Sequence, residues 1–357
     1  MSMKRMAVLL AVLLTLLAVW CTAAAEEETV IEIRDAEGLR DVVNHPGAKF
    51  RLANDIDLKG EDWTPLPFSG ELDGNGFGIY NLTVTRVGEE TRYTRDGNNK
   101  RYKTTFAGLF SVAEYATIRD LKIIGAHVTV DGDTHCFAAV LTGFADHCTF
   151  DGVTVDGYVR LNNYGVMAGV GGVAGFGSGY IDNCKARVEL IFEDRNRKRK
   201  CEEFLGAMLS CGYTRIRNCT VEIDGYVSCH GYVHNGGLIG MYHTCGTKFK
   251  LGTKNRIVSD NTITGRIWFF EDNRDRRAYC KGDIGEPLTR LHERERNDVT
   301  GFTREETKNY KTVLLPENCE EPVYIENVIP PENGEWGWTE HTCTTCGYTW
   351  RDDYRAP

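Results

Sequence analysis

The chain has 357 residues, a formal net charge of −9 and 38 glycines. A net acidic chain does not suit nucleic acid or an anionic membrane surface, so neither is expected as a partner. The glycine content and the scarcity of apolar stretches with a helical period argue against a helical bundle.

The first 25 residues are typical of a cleaved secretory signal. Lys4 and Arg5 precede an apolar run from Met6 to Trp20 and a small-residue stretch at 23–25. A membrane anchor is an alternative, but a run of about 15 apolar residues is short for one. We therefore expect export, with no transmembrane segment after cleavage. Loss of Lys4 and Arg5 would lower the net charge from −9 to −11.

A pattern of apolar residues at a first, fourth and sixth position recurs six times. The first five triplets are Ile79, Leu82, Val84; Ile118, Leu121, Ile123; Phe150, Val153, Val155; Ile181, Cys184, Ala186; and Ile216, Cys219, Val221. The sixth, Val258, Asn261, Ile263, is a weaker match because its fourth position is polar. Their first members are separated by 39, 32, 31, 35 and 42 residues. A unit of this length, with short strands and no helix, buries its apolar face only by stacking on its neighbours. The repeat predicts an all-β fold, a parallel β-helix with the six triplets directly over one another.

The third position of the later triplets supports this register. Its occupants are Asp120, Gly152, Asn183, Asn218 and Asp260. Glycine, asparagine and aspartate adopt left-handed backbone conformations at low cost. We therefore predict a bend of the chain at this position in every coil.

The segment LANDIDLKGEDWTPLPFSGELDGNGFGIYNLTV at 52–84, with the later FAGLFS, GGVAGF and GGLIGM, resembles the GLUG-motif proteins of bacterial cell surfaces. The resemblance covers about residues 45–265, although FAAVLT and LGAMLS depart from the family pattern. It implies a right-handed parallel β-helix.

We divide the chain into four parts. These are a signal peptide at 1–25, a β-helix domain with an N-terminal cap at 26–284, a charged linker or cap at 285–335, and a Cys-x-x-Cys tail at 336–357. The loss of the repeat after residue 266 and the high charge that follows set the boundary at residue 284.

An outward-facing column of charged residues is the first candidate site. Arg119, Asp151, Asp182 and Arg217 each follow the first residue of a triplet. Adjacent coils would bring Asp151 and Asp182 to about the 5–5.5 Å carboxyl separation of retaining glycosidases. One hypothesis is a glycan-cleaving pair, with Arg119 and Arg217 binding an acidic sugar. The alternative is a ladder of opposite charges on a solvated face.

A basic segment, RNRKRK at 195–200, stands out from the acidic chain. Arg197 and Lys198 within it could bind an anionic surface polymer. The alternative is a solvated loop between coils.

Metal-capable side chains occur in two places. Cys343 and Cys346 form Cys-x-x-Cys-Gly, half of a zinc-ribbon site, which Cys319 or His341 would have to complete. A disulfide and free thiols are the alternatives. The segment CHGYVHNGGLIGMYHTC at 229–245 also carries cysteine and histidine, but its spacing matches no standard metal site. No cofactor other than zinc at the tail is expected.

These observations predict an exported, non-enzymatic β-helix protein of the bacterial surface that serves adhesion or glycan binding. The alternative is a β-helical polysaccharide lyase or glycoside hydrolase. The expected partner is a surface glycan or another extracellular polymer, and the sequence predicts no oligomeric state.

Overall fold

A computed structural model of the chain describes residues 29–95, 101–133, 135–195, 202–229, 232–243, 251, 253–271, 278–280, 283–287, 294–307, 319, 321–333 and 336–357. The predicted signal peptide at 1–25 and the candidate ligands Arg197 and Lys198 lie outside the described residues. In the described part, no helix is long and apolar enough to cross a membrane.

Short strands make up most of the described chain. Helix α1 spans Ala36–Arg40, with the Asp35 side chain accepting the Gly38 N–H at its N-terminus, and 3₁₀ turns occupy Asp41–Asn44 and Thr253–Asn255. The strands are β1 Val30–Ile33, β2 Lys49–Leu52, β3 Ile56–Asp57, β4 Leu66–Phe68, β5 Glu71–Asp73, β6 Gly78–Tyr80, β7 Thr83–Val84, β8 Arg92–Arg95, β9 Arg101–Ala107, β10 Phe110–Glu114, β11 Thr117–Arg119, β12 Lys122–Gly132, β13 His135–Ala139, β14 Thr142–Asp151, β15 Thr154–Asn163, β16 Met167–Gly171, β17 Ala174–Asp182, β18 Lys185–Asp194, β19 Glu202–Gly206, β20 Leu209–Arg217, β21 Thr220–Cys229, β22 Tyr232–Gly236, β23 Ile239–Tyr242, β24 Val258–Ser259, β25 Thr262–Glu271, β26 Ala278–Cys280, β27 Ile284–Pro287, β28 Asp298–Thr307, β29 Tyr324–Ile329, β30 Gly337–Cys343 and β31 Thr349–Arg355.

Three long sheets wrap one core. The first sheet has the order β1-β2-β5-β11-β14-β17-β20-β23-β27, the second β28-β25-β21-β18-β15-β12-β6-β3, and the third β26-β22-β19-β16-β13-β9-β8. All pairs are parallel except β8 with β9. Successive strands along the chain belong to the third, first and second sheets in turn, as β13, β14 and β15 show. The chain is therefore a parallel β-helix, which confirms the predicted fold class.

Five of the six apolar triplets stack as predicted. In the first sheet the register joins Ile118, Phe150, Ile181, Ile216 and Val258. In the second sheet it joins Ile123, Val155, Ala186, Val221 and Ile263. All ten side chains are buried. The core is thus a column of apolar layers.

The predicted bend column is also confirmed. Asp120, Gly152, Asn183, Asn218 and Asp260 have φ angles of 49°, 67°, 56°, 54° and 59°. Each lies between a strand of the first sheet and a strand of the second. The left-handed residue therefore turns the chain from one sheet to the next in every later coil.

The first triplet, that of Ile79, does not lie in line with the other five, and this part of the prediction is wrong. Ile79 pairs with Ile123 in the second sheet, while Leu72 holds the place beside Ile118. Asn81, in the third position of this triplet, also has a left-handed φ of 57°. The same local bend therefore occurs at another point of the coil, between β6 and β7, and this explains the false match.

The β-helix extends beyond the predicted boundary at residue 284. Strand β28 pairs in parallel with β25 and adds a further coil. Its Phe302 packs against the core, while neighbouring residues such as Thr300 and Thr303 are exposed. Polar outward positions therefore hid the repeat in this segment.

The C-terminal meander consists of β29, β30 and β31, which form a separate antiparallel sheet. It is longer than the predicted tail at 336–357, because β29 begins at Tyr324. Trp336 and Tyr354 pack with Tyr80 against the outer face of the second sheet. Gly125 has a φ of 69°, and a Cβ there would lie 2.4 Å from the Tyr354 ring. The meander thus makes close contact with the β-helix.

Candidate ligand-binding cleft

A cleft of about 960 Å³ lies between the outer face of the second sheet and the C-terminal meander. This volume is within the range of small-molecule and cofactor sites. Its charged and aromatic lining residues are His127, Asp156, Tyr158, Arg187, Glu189, Glu222, Asp224, Arg266, Glu340, Tyr348, Trp350, Arg351 and Asp352.

Two columns of outward side chains form the floor of the cleft. One column contains Asp156, Arg187 and Glu222, and the other contains His127, Tyr158, Glu189, Asp224 and Arg266. Alternation along each strand turns these residues outward while Val155, Val188 and Ile223 point into the core. Parallel, in-register pairing then places them one strand spacing apart.

Two floor carboxyl groups have perturbed acidity. Burial raises the pKa of Asp156 above its ordinary value, although the ion pair with Arg187 opposes this effect. Partial burial also raises the pKa of Asp224, against the hydrogen bond from Arg266, whose Nη2 lies 3.0 Å from Oδ2. Asp224 remains about half exposed, so its carboxyl group is accessible from the cleft. Perturbed carboxyl groups in a cleft are typical of functional sites.

The meander supplies the opposite wall. The hydroxyl of Tyr348 donates a hydrogen bond to Glu189 Oε2 at 2.7 Å. The ring of Trp350 stacks on that of His341, with centroids 4.5 Å apart and planes inclined by 7°. Arg351 donates to Glu340 at 3.0 Å. The wall is therefore held by contacts both within the meander and across the cleft.

The charge balance of the cleft limits its ligands. Six carboxylates and three guanidinium groups line the cleft. The carboxylates are those of Asp156, Glu189, Glu222, Asp224, Glu340 and Asp352, and the guanidinium groups are those of Arg187, Arg266 and Arg351. Each of the three arginines already has a carboxylate partner. An anionic ligand is therefore disfavoured, whereas a neutral ligand with many hydroxyl groups finds acceptors, donors and aromatic faces.

The sequence-predicted pair of aspartates lies outside this cleft, on the first sheet. Asp151 and Asp182 are register partners on adjacent strands, as expected. However, Asp182 is buried and paired with Arg215 and Arg217. Asp151 accepts a hydrogen bond from Asn183 at 2.7 Å.

The two predicted ligands of this column, Arg119 and Arg217, are also paired. Arg119 Nη2 lies 2.9 Å from Asp73 Oδ2. Arg217 Nε lies 3.2 Å from Asp182 Oδ1. This arrangement matches the charge-ladder alternative, in which opposite charges offset one another along the stack.

The metal-capable residues lie in three separate places. Cys343 and Cys346 lie with Cys319, and their three sulfur atoms are all within 4.8 Å of one another. His341 instead places its Nε2 2.7 Å from Asp352 Oδ1. His234 of the segment at 229–245 is buried and stacks on Phe204, with centroids 5.2 Å apart. His230 and Cys245 of that segment lie outside the described residues.

Sequence reasoning did not identify the cleft residues. Asp156 and Asp224 belong to strands whose outward positions are polar in general, and Trp350 belongs to a segment distant along the chain. The useful signal was the register itself, since the outward residues one and three positions beyond the triplets that end at Val155, Ala186 and Val221 fall into two columns.

Comparison with known proteins adds no relative. No protein-family model matches the chain, and neither the curated proteins nor the solved structures include a match.

Proposed function

We propose that the protein is an exported, non-enzymatic β-helix protein of the bacterial surface that binds a neutral glycan in the cleft. The observation that carries this proposal is that aromatic side chains lie on both the floor and the wall of the cleft, with many hydrogen-bonding groups between them. Sugars offer apolar ring faces for aromatic contact and hydroxyl groups that both donate and accept.

Three further observations support this function. The resemblance of residues 45–265 to GLUG-motif surface proteins and the signal-like residues 1–25 favour export and surface location. The excess of carboxylates favours a neutral sugar over an acidic one. A rigid stack of coils presents such a cleft without a large conformational change, which lowers the entropic cost of binding.

The test is a glycan array with the whole chain, followed by titration calorimetry with the neutral glycan that binds best. Trp350→Ala and Tyr158→Ala should each weaken that binding at least about tenfold, because the first removes an aromatic ring from the wall and the second removes one from the floor. Tyr93→Ala is the matched control, since Tyr93 is 63% exposed on β8, at the edge of the third sheet. The proposal would be contradicted if the wild-type protein bound no neutral glycan. It would also be contradicted if Trp350→Ala bound the glycan as tightly as the wild type.

A second function, glycan cleavage, is favoured by one specific relationship. Glu189 and Asp224 are register partners on adjacent strands, whose backbones are about 4.8 Å apart. A carboxyl group of raised pKa beside a second carboxylate is the arrangement that retaining glycosidases use for acid catalysis.

Release of reducing ends from the bound polysaccharide distinguishes the two functions. A glycosidase would lose this activity in Asp224→Asn and in Glu189→Gln, and would keep it in Asp151→Asn. Binding without release of reducing ends supports the non-enzymatic function.

A further inference from the structure

Three thiols meet at the base of the C-terminal meander. Cys343 is the last residue of β30, Cys346 lies in the turn to β31, and Cys319 comes from the segment before β29. Their sulfur atoms all lie within 4.8 Å of one another, and Cys343 is buried. The cluster therefore joins the β30–β31 turn of the meander to the segment that precedes β29.

The spacing of the sulfur atoms suits a metal ion. Cys319 Sγ and Cys343 Sγ are 3.7 Å apart. Two thiolates, each about 2.3 Å from a tetrahedral zinc ion, lie about 3.8 Å apart. A disulfide would require about 2.05 Å between the sulfur atoms.

The turn that carries two of the thiols has a shape suited to ligation. Gly347 N–H donates to the carbonyl of Cys343 at 2.8 Å, and Cys343 N–H donates to that of Tyr348 at 2.8 Å. Gly347 has a φ of 79°, which glycine adopts without strain. The backbone N–H groups of Cys346 and Thr345 point toward the sulfur of Cys343. Such groups stabilise a thiolate, the form of cysteine that binds metal.

We propose that Cys319, Cys343 and Cys346 bind one Zn²⁺ ion that holds the C-terminal meander in its folded form. The three thiols bind as thiolates and release their protons to solvent. The role of the ion is structural, because none of the three cysteines is among the residues that line the cleft.

The meander needs stabilisation by a bound ion because its own hydrophobic core is small. Strand β29 is exposed along most of its length, and few side chains of the meander are buried, among them Trp336, Cys343 and Tyr354. A three-stranded sheet is stable only with a hydrophobic face or packing against another element. A metal ion that links residue 319 to the β30–β31 turn offsets the missing core.

The same ion fixes one wall of the cleft. Tyr348 follows Gly347 directly and reaches Glu189 across the cleft, and Trp350 lies two residues further along. Loss of the ion should therefore loosen this wall. This consequence for ligand binding rests on the proposed function, whereas zinc binding itself does not.

The first test is the metal content of the whole chain, purified without chelator and measured by mass spectrometry. We expect about one zinc per chain, with three sulfur neighbours at about 2.3 Å in X-ray absorption spectra. Replacement by Co²⁺ should give thiolate-to-cobalt charge-transfer bands. Cys343→Ser should lose the metal, whereas Cys148→Ala, which removes a buried thiol of β14, should retain it.

The second test is hydrogen exchange after removal of zinc with a chelator. Exchange should rise in β29, β30 and β31 and stay unchanged in β14, β17 and β20. A chain that contains no zinc and shows a Cys319–Cys343 disulfide in peptide mapping would overturn the proposal. Full zinc content in Cys343→Ser would overturn it as well. Neither result depends on whether a glycan binds.

Discussion

The indole ring of Trp336 lies flat on the ring of Tyr80, with centroids 3.6 Å apart and planes inclined by 7°. The indole Nε1 also donates to Asp55 Oδ2 at 2.8 Å. Since Tyr80 and Asp55 belong to the first coils, this contact joins the two ends of the described chain. It fixes the position of the meander over the second sheet and hence the width of the cleft.

Trp336→Ala should detach the meander while leaving the β-helix folded. The variant loses the stacking, the hydrogen bond and most of the apolar contact at this point, so we expect docking to weaken by about 3 kcal/mol. Hydrogen exchange of β30 and β31 measures the change, and the far-ultraviolet circular dichroism of the β-helix should persist. Val328→Ala, at an exposed position of β29, is the control. Unchanged exchange in Trp336→Ala would show that other contacts suffice.

Asn183→Val should destabilise the β-helix by about 2 kcal/mol, because a β-branched residue is strained in the left-handed conformation. Asn183 has a φ of 56° and donates to Asp151, and it accepts a hydrogen bond from Asn218 at 3.2 Å. Asn183→Gly keeps the backbone conformation and should cost much less. Urea unfolding midpoints of the two variants provide the comparison. Equal midpoints would mean that the hydrogen bonds, rather than the bend, determine the effect.

Asp182→Asn should lower the free energy of unfolding by about 2 kcal/mol, since it leaves two arginines without their buried counter-charge. Arg215 and Arg217 both pair with this carboxylate. Asp151→Asn, one strand away and exposed, should change stability by less than about 0.5 kcal/mol. Thermal unfolding measures both. If instead the two variants are equally stable and both abolish a glycan-cleaving activity, the catalytic hypothesis for this pair is correct.

Stability should fall as the pH is lowered through the range between about 6.5 and 4, in part because of His234. Burial lowers the pKa of His234 to about 4. The His234 side chain therefore binds a proton near pH 6.5 in the unfolded chain but only near pH 4 in the folded chain. As the pH falls to about 4, this difference lowers the free energy of unfolding by about 3 kcal/mol. Because the folded-state pKa is depressed, this contribution is fully present above pH 6.5.

Urea unfolding at several pH values between 4 and 7 checks this expectation. In His234→Gln the free energy of unfolding should depend less steeply on pH. Parallel curves for the variant and the wild type would show that His234 does not contribute.

Much of the fold was accessible from the sequence, because its determinants lie within one coil. The apolar triplets of Ile118, Phe150, Ile181, Ile216 and Val258 encode which side chains enter the core, and the third position of each encodes a left-handed bend. Stacking repeats both signals every 31 to 42 residues. The exception is instructive, since Asn81 bends the chain as the others do but at a different point of the coil.

Two of the three cysteines in the cluster were also accessible from the sequence. Cys343 and Cys346 are adjacent by local spacing alone, and the tight turn at Gly347 is visible in the same five residues. The sequence left Cys319 and His341 as equal candidates for a further ligand. Only the antiparallel pairing of β30 with its neighbours brought Cys319 to the cluster and turned His341 toward Asp352.

The sequence by itself determined the β-helix, because burial and backbone preference repeat locally in each coil. Tertiary structure decided the cleft, because its floor and its wall come from segments far apart in the chain. Tyr348 meets Glu189, and Trp336 meets Tyr80, only after the stack has formed and offered a surface for docking. The fit between these two distant surfaces produces no repeating pattern in the sequence of either segment. No pattern along the chain could therefore predict the cleft.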